Sequence, residues 1–329
     1  MRKPVNPLSR WWPAASLIGA ALAIGLVFFR PMNLQVLSSH ANPTRSYAEA
    51  VRRIEALRAA APPDMNPDCQ LQFLNQGQKA ERAIAFVHGY SYCPQQFQAL
   101  GQRFHDLGYN VIIAPLPHHG LADRLTTVQA QLTAEELATY ADEMTDILQG
   151  LGTQTIMAGI SGGGVTTAWA AQFRHDLSLA VVISPGFGFR KVPAPLTAPA
   201  ADLFLAAPNF YQWWDPNLKT GLTPDYVYPR YSTRALAQIL RLGFAVRSAS
   251  QATRPAAQAI LVVTNAYDDT VDNTVAAQVA ENWRRAGAQL ATYEFPADLR
   301  LGHDMIDPTR PDQRVEVVYP QLIKLIAGQ

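Results

Sequence analysis

The chain has 329 residues, of which 48% are hydrophobic and 16% are charged. This length and composition are typical of a globular protein with one large domain or two smaller ones, and they exclude a disordered chain. Lys and Arg total 27 against 26 for Asp and Glu, so the net charge of +1 provides no field that would gather nucleic acid.

The N-terminal segment predicts a membrane anchor. Three basic residues precede an uncharged run over residues 11–29, which Arg30 closes. About 20 apolar residues are enough to cross a bilayer as a helix, and basic residues ahead of the run favour a cytoplasmic N-terminus. We therefore expect residues 1–10 in the cytoplasm, a transmembrane signal anchor over residues 11–30 and an extracytoplasmic catalytic domain. A cleaved signal peptide is the alternative, but no suitable cleavage site closely follows the run.

Residues 31–67 are predicted to form a spacer between the anchor and a folded domain that begins at residue 68. Apolar residues recur every three or four positions over residues 44–60, which predicts a helix that packs on that domain. A proline-containing stretch over residues 61–67 then ends the helix.

Cys69 and Cys93 are the two cysteines of the chain, and they flank the first predicted core strand. An exported domain with two cysteines often pairs them. The sequence therefore favours a disulfide, with two buried thiols as the alternative.

From residue 83 onward, short apolar runs alternate with amphipathic stretches. This alternation indicates βαβ units and a doubly wound α/β domain with a mostly parallel sheet over residues 68–329. The predicted strands are 83–87, 111–114, 155–158, 179–183, 259–263 and 290–295. The predicted helices are 95–107, 133–149, 162–174, 273–286 and 312–327.

Residues 186–258 interrupt this alternation. The insertion is far longer than the two to six residues or so that usually connect a strand to a helix, so it requires structure of its own. It is rich in aromatic residues, among them Trp213 and Trp214. We expect a cap over the active site, in which these two tryptophans contact the substrate. A subdomain packed elsewhere is the alternative.

The strongest local motif is Gly159-Ile160-Ser161-Gly162-Gly163, between the strand 155–158 and the helix that begins at residue 162. It matches G-x-S-x-G, where a sharp strand-to-helix turn leaves no room for side chains near the serine and exposes its hydroxyl. Ser161 is therefore the candidate nucleophile.

The segment Phe86-Val87-His88-Gly89-Tyr90, the turn at Ser161, Asp268 and His303 follow the order and context of the α/β-hydrolase superfamily. The chain resembles the esterase, monoacylglycerol lipase and serine-aminopeptidase branch over residues 68–328.

The resemblance implies a triad in which Ser161 attacks, His303 acts as general base and Asp268 orients the histidine. Asp269 is the reserve candidate for the acid, since Asn265 stands where the family usually has glycine.

The resemblance also implies an oxyanion hole made by the backbone N–H groups of Tyr90 and Gly162. His88 would then be structural, while His118 and His119 either line the pocket or make polar contacts within their loop.

The function implied is hydrolysis of carboxylic esters, with a medium- or long-chain acyl ester or a lipid as substrate. No metal, cofactor or nucleic acid is implied. An aminopeptidase or amidase, an acyltransferase and a non-catalytic binding module tethered to the membrane are the alternatives, because one fold hosts many chemistries.

Overall fold

The structure is a computed structural model that describes residues 37–214 and 224–328, together with residues 19, 32 and 34. Apart from residue 19, the predicted anchor over residues 11–30 lies outside the described residues. Among the residues that are described, no helix has the length and apolarity needed to span a bilayer.

A seven-stranded sheet forms the centre of the fold. Its strands lie in the order β1-β3-β2-β4-β5-β8-β9, and all neighbours are parallel except the antiparallel pair β1–β3. These strands are β1 (Gln72–Leu74), β2 (Ala80–Val87), β3 (Asn110–Ile113), β4 (Gly152–Ile160), β5 (Leu179–Ile183), β8 (Ala259–Asn265) and β9 (Leu290–Phe295). Helices cover both faces, which explains why the inner strands read as continuous apolar runs. The predicted α/β fold with a mostly parallel sheet is confirmed.

Within the described residues, eight α-helices accompany the sheet. They are α1 (Tyr47–Ala59), α2 (Gln95–Asp106), α3 (Ala134–Leu151), α4 (Gly162–Phe173), α5 (Ala194–Ala206), α6 (Thr233–Ala252), α7 (Asn273–Arg285) and α8 (Val315–Ala327). Buried side chains of α1, α3, α4, α6 and α7 form one apolar core with one face of the sheet. Helices α2 and α8 form a second core with the other face.

The segment predicted as a spacer packs into the first of these cores. Ala50 and Ile54 of α1 are fully buried beside α3. The two helices approach so closely that a side chain at Gly150 would overlap the backbone oxygen of Ser46. From residue 37 onward, the chain therefore shares the core of the α/β domain.

A buried cluster of charges fixes this N-terminal segment to the body of the domain. The Arg174 guanidinium forms ion pairs with Asp142 at 2.9 Å, Asp146 at 2.5 Å and Asp176 at 2.7 Å. The Ser39 hydroxyl donates to Asp142 Oδ1 at 2.6 Å. Because Arg174 is almost fully buried, its positive charge must be balanced by these carboxylates. The segment near residue 39 supplies a further hydrogen-bond donor to one of them.

The insertion over residues 186–258 contains α5, a two-stranded ribbon of β6 (Tyr211–Trp213) and β7 (Arg230–Ser232), and α6. Helix α6 packs along α4, the helix that follows Ser161. The edge strand β1 has no signal in the sequence, because its three half-buried residues carry no distinct apolar pattern.

Candidate active site

The turn between β4 and α4 holds Ser161 in a conformation that few residues other than glycine adopt. Its φ is 57° and its ψ is −117°. A side chain at Gly159 would overlap the backbone of Gly163, and one at Gly163 would overlap the carbonyl group of Val87. The glycines on both sides are therefore required by close backbone approach, and the strained turn places the serine at the carboxyl edge of the sheet.

Asp268 and His303 form a hydrogen-bonded pair at the same edge of the sheet. His303 Nδ1 lies 2.8 Å from Asp268 Oδ2, and the ionised carboxylate can only accept, so Nδ1 carries the proton. Asp268 Oδ1 accepts the backbone N–H groups of Thr270 at 2.9 Å and Val271 at 3.1 Å. His303 Nε2 is buried and has no hydrogen-bond partner among the described residues. This nitrogen is therefore available as a proton acceptor.

Each member of this pair shifts the pKa of the other. Burial raises the pKa of Asp268, but the hydrogen bond and charge of His303, with two backbone N–H groups, outweigh it and hold the pKa below its ordinary value. Burial lowers the pKa of His303, but the hydrogen bond and charge of Asp268 outweigh it and raise the pKa above its ordinary value of 6.5. The pair thus stabilises the imidazolium form.

The neighbouring carboxylate does not share this position. Asp269 is exposed and its side chain accepts the hydroxyl of Thr270 at 3.2 Å. Asn265 donates through Nδ2 to the Leu301 carbonyl at 2.8 Å. This hydrogen bond links the loop of Asp268 to the loop of His303.

The backbone of the loop after β2 faces the start of α4. A Cβ atom at Gly162 would lie 3.3 Å from the Tyr90 nitrogen. Neither the Tyr90 N–H nor the Gly162 N–H donates to another group within residues 37–214 and 224–328. Two adjacent free donors form a site that suits an oxyanion.

His88 fixes the shape of this loop. Its Nε2 accepts the Leu116 N–H at 2.9 Å and its Nδ1 donates to the Gly89 carbonyl at 2.9 Å. Burial and the neighbouring His119 lower the pKa of His88 to about 3, so the ring is neutral. Both ring nitrogens are used, which leaves His88 no free nitrogen to act as a base.

Gln96 is a buried residue of this region that is not among the site residues predicted from the sequence. Its Oε1 accepts the Gly89 N–H at 2.8 Å, and its Nε2 donates to Asp304 Oδ1 at 3.3 Å. The Tyr92 hydroxyl donates to the other oxygen of Asp304 at 2.9 Å. Gln96 thus connects the loop of Tyr90 to the residue that follows His303. A polar residue on the apolar stripe of α2 was the signal that could have revealed it.

The insertion contacts the loop of Tyr90 directly. Trp214 Nε1 donates to the Ser91 hydroxyl at 2.7 Å, and the Trp214 ring lies 6.1 Å from the Tyr90 ring. The Tyr90 hydroxyl accepts the Ser232 N–H at 3.0 Å. Trp213 lies in β6 and pairs with Arg230 across the ribbon. Trp214 therefore lies beside the candidate site. Trp213 is a strand residue of the two-stranded ribbon.

The two histidines of the loop after β3 have different surroundings. His118 Nε2 lies 2.9 Å from Glu136 Oε1. His119 is buried, donates through Nδ1 to the Pro117 carbonyl at 2.8 Å, and has its ring 5.5 Å from that of Tyr90. Burial lowers the pKa of His119 to about 4. His118 thus makes a polar contact with Glu136, and the ring of His119 packs against the ring of Tyr90.

Cys69 and Cys93 form a disulfide, with their Cα atoms 5.3 Å apart. This confirms the predicted pairing. The bond ties the segment before β1 to the loop that carries Tyr90. Among the described residues, no group of three His, Cys, Asp or Glu side chains is arranged to hold a metal ion.

Residues 84–317 match the profile of the alpha/beta hydrolase family. No curated protein matches the chain.

Among solved structures, a monoacylglycerol lipase of Paleococcus ferrophilus is 16% identical, with a TM-score of 0.59 over 78% of this chain and 98% of that chain. A soluble variant of the Saccharomyces cerevisiae monoglyceride lipase is 13% identical, with a TM-score of 0.57 over 78% and 94%. A structure from a study of two metagenome-derived lipolytic enzymes is 17% identical, with a TM-score of 0.56 over 80% and 100%. At these identities the likeness shows the fold alone.

Proposed function

The chain belongs to the alpha/beta hydrolase family, and on that premise we propose that it is a membrane-anchored serine hydrolase that cleaves carboxylic esters. One observation carries the proposal. His303 is bound through Nδ1 to the buried carboxylate of Asp268, and its Nε2 has no partner among the described residues, at the sheet edge where the turn holds Ser161.

In the proposed reaction, the Ser161 hydroxyl attacks the ester carbonyl while His303 Nε2 takes its proton. A serine hydroxyl is a weak nucleophile until a base removes that proton. Asp268 holds the imidazole with Nδ1 protonated and stabilises the cation that forms. The raised pKa of His303 supports this role, because it reflects a stabilised imidazolium.

The negative charge that develops on the substrate oxygen would lie against the N–H groups of Tyr90 and Gly162. Each such donor contributes on the order of 3 kcal/mol to the transition state. His303 then gives its proton to the leaving alcohol, and the acyl group stays on Ser161. Water, deprotonated by the same histidine, releases the acid and restores the enzyme.

We propose an acyl ester of medium or long chain, or a lipid, as the substrate. The aromatic insertion that adjoins Tyr90 supports an apolar substrate, and two of the fold-level neighbours are named as monoacylglycerol or monoglyceride lipases. An amide or peptide substrate would use the same residues.

The proposal also includes the layout of the chain. Residues 1–10 would lie in the cytoplasm, 11–30 would span the membrane, and 31–67 would connect the anchor to the hydrolase domain over 68–329 while packing into its core from residue 37 onward. The disulfide supports an extracytoplasmic location, because such bonds persist in oxidising compartments. Resistance of the full chain to extraction by alkaline carbonate tests the anchor.

The reaction is tested by labelling the full-length protein with a fluorophosphonate probe. We expect the wild type to be labelled and the folded S161A variant to remain unlabelled. Rates on p-nitrophenyl esters of increasing chain length, measured beside aminoacyl-naphthylamides, then separate an esterase from an amidase. A folded wild-type protein that resists the probe would contradict the proposal.

A further inference from the structure

The turn that carries the Tyr90 N–H contains a strained residue. The Tyr92 N–H donates to the Gly89 carbonyl at 3.1 Å, which closes a β-turn over residues 89–92. The third residue of this turn is Ser91, whose φ is 73°. A positive φ at the third position is the pattern of a type II turn, where glycine is preferred because it has no Cβ atom. A serine keeps this conformation only where neighbouring groups hold it there.

The insertion over residues 186–258 supplies such groups. The Trp214 indole N–H donates to the Ser91 hydroxyl at 2.7 Å. The Tyr228 N–H donates to the Ser91 carbonyl at 2.8 Å. A glycine would fit the turn without strain, but it would offer no acceptor to Trp214. The serine therefore exchanges an easy backbone conformation for a hydrogen bond to the insertion.

Trp214 is itself held in place by the two-stranded ribbon. Its ring centroid lies 4.2 Å from that of Tyr231, and its backbone N–H donates to the Pro229 carbonyl at 3.2 Å. An indole nitrogen can only donate, so its partner must be an acceptor. That partner, the hydroxyl of Ser91, belongs to a residue that is 1% exposed. The ribbon thus fixes the indole, and the indole fixes Ser91.

The conformation of Ser91 decides where the Tyr90 N–H points. Tyr90 directly precedes Ser91, so rotation about the φ angle of Ser91 turns the Tyr90 backbone relative to the rest of the loop. A Cβ atom at Gly162 would lie 3.3 Å from the Tyr90 nitrogen in the present arrangement. Relaxation of Ser91 to a negative φ would disturb this arrangement, and an oxyanion site acts only when its donors are preorganised.

We propose that Trp214 is a positioning residue, which holds Ser91 in the left-handed conformation and thereby aims the Tyr90 N–H at the substrate oxygen. The inference rests on the oxyanion site of the proposed function. It deepens that function by giving the insertion a part in the geometry of catalysis, where the sequence predicted a contact between Trp214 and the substrate.

The first test removes each partner of the hydrogen bond. W214F keeps an aromatic ring but has no N–H, and S91A keeps the Cβ atom but has no acceptor. Each should lower kcat on a short p-nitrophenyl ester by about tenfold. The double variant should lose no more than either single variant, because both remove the same bond. KM should change little, since the lost bond lies within the protein.

The second test is a rescue by glycine. Glycine adopts a φ of 73° without strain, so S91G should hold the turn without help from Trp214. We expect S91G to keep kcat within about threefold of the wild type, and W214F to cause less than about a twofold further loss in the S91G background. The matched control is Y231F, which removes a hydrogen bond to Gln212 at 2.6 Å within the ribbon and should keep the wild-type kcat.

Hydrogen exchange of the peptide over residues 88–93 gives a readout that needs no catalysis. Exchange should be faster in W214F and S91A than in the wild type, and unchanged in Y231F. Unchanged exchange in W214F would overturn the inference.

Three kinetic outcomes would also overturn it. Folded W214F could retain the wild-type kcat, or it could show the same loss in the wild-type and S91G backgrounds. A rise in KM for long-chain esters with an unchanged kcat would show that Trp214 contacts the substrate instead. In each of these cases the wild type is still labelled by the fluorophosphonate probe, whereas an unlabelled wild type would contradict the proposed function on which the inference rests.

Discussion

Substitution of Gln96 by alanine tests how the candidate oxyanion loop is held. The side chain is fully buried and bonds to the Gly89 N–H at 2.8 Å and to Asp304 at 3.3 Å. Alanine removes both bonds. The Gly89 N–H is then buried without an acceptor, and Asp304 keeps the Tyr92 hydroxyl at 2.9 Å.

The size of the effect follows from these contacts. A buried donor left without a partner costs about 1–3 kcal/mol, so the free energy of unfolding of Q96A should fall by roughly 2 kcal/mol. Complete loss of one oxyanion donor costs about 10²–10³ in kcat. Gly89 precedes the donor Tyr90, so displacement of this loop should lower kcat by about 10–100-fold. KM should change little, because no contact with remote parts of the substrate is removed.

The assay compares kcat, KM and the rate of fluorophosphonate labelling for the wild type and Q96A, at a temperature where thermal unfolding shows both to be folded. Q102A is the control, because Gln102 is on the exposed side of the same helix and bonds to Asp106. Q96A with wild-type kcat and labelling rate, or Q102A with the same loss, would refute the positioning role.

D268N should lower kcat by roughly 10⁴-fold, because an amide does not hold the imidazole in the required tautomer. D269N should keep a kcat close to that of the wild type, and equal losses of kcat in the two variants would contradict the choice of Asp268 as the acid. The value of kcat/KM should fall as the pH drops through the pKa of His303, because the base must be neutral. This pKa lies above 6.5, so a midpoint below 6.5 in the pH profile of kcat/KM would contradict the prediction. The pair formed by Asp268 and His303 also contributes to the free energy of unfolding. The contribution of Asp268 is lost as the pH falls through its depressed pKa, and the contribution of His303 is lost as the pH rises through its raised pKa. The free energy of unfolding of C69S/C93S should be about 3 kcal/mol lower than that of the wild type, because the disulfide closes a loop with a sequence separation of 24. Denaturant titration measures this loss, and an unchanged midpoint of unfolding would contradict the prediction.

Much of the fold could be predicted because its determinants are local. The strands 179–183 and 290–295 were predicted with the bounds that the structure has. Strand 179–183 is buried from its second residue onward, and a strand covered on both faces requires a short continuous apolar run. The glycines around Ser161 likewise reflect backbone contacts within one strand-turn-helix unit. The roles of Ser161, His303 and Asp268 stay predictions until they are tested by experiment.

Other features depend on contacts between distant parts of the chain, and these only the tertiary structure decided. Gln96 bonds to Asp304 across 208 positions, and no local pattern specifies that pair. The sequence favoured Asp268 and kept Asp269 in reserve, whereas the burial of the first carboxylate beside His303 and the exposure of the second are features of the folded turn.

The sequence by itself determined the six parallel strands of the sheet and the helices that accompany them, the turn at Ser161 and the presence of a long aromatic insertion, because periodicity and glycine spacing record local backbone requirements. It predicted that α1 packs on the domain but not that α1 shares the core with α3, nor that α5 keeps its leucines exposed. An apolar helix pattern has the same appearance whether its partner is the core, another chain or a membrane, so the burial of each face is decided only when distant segments meet.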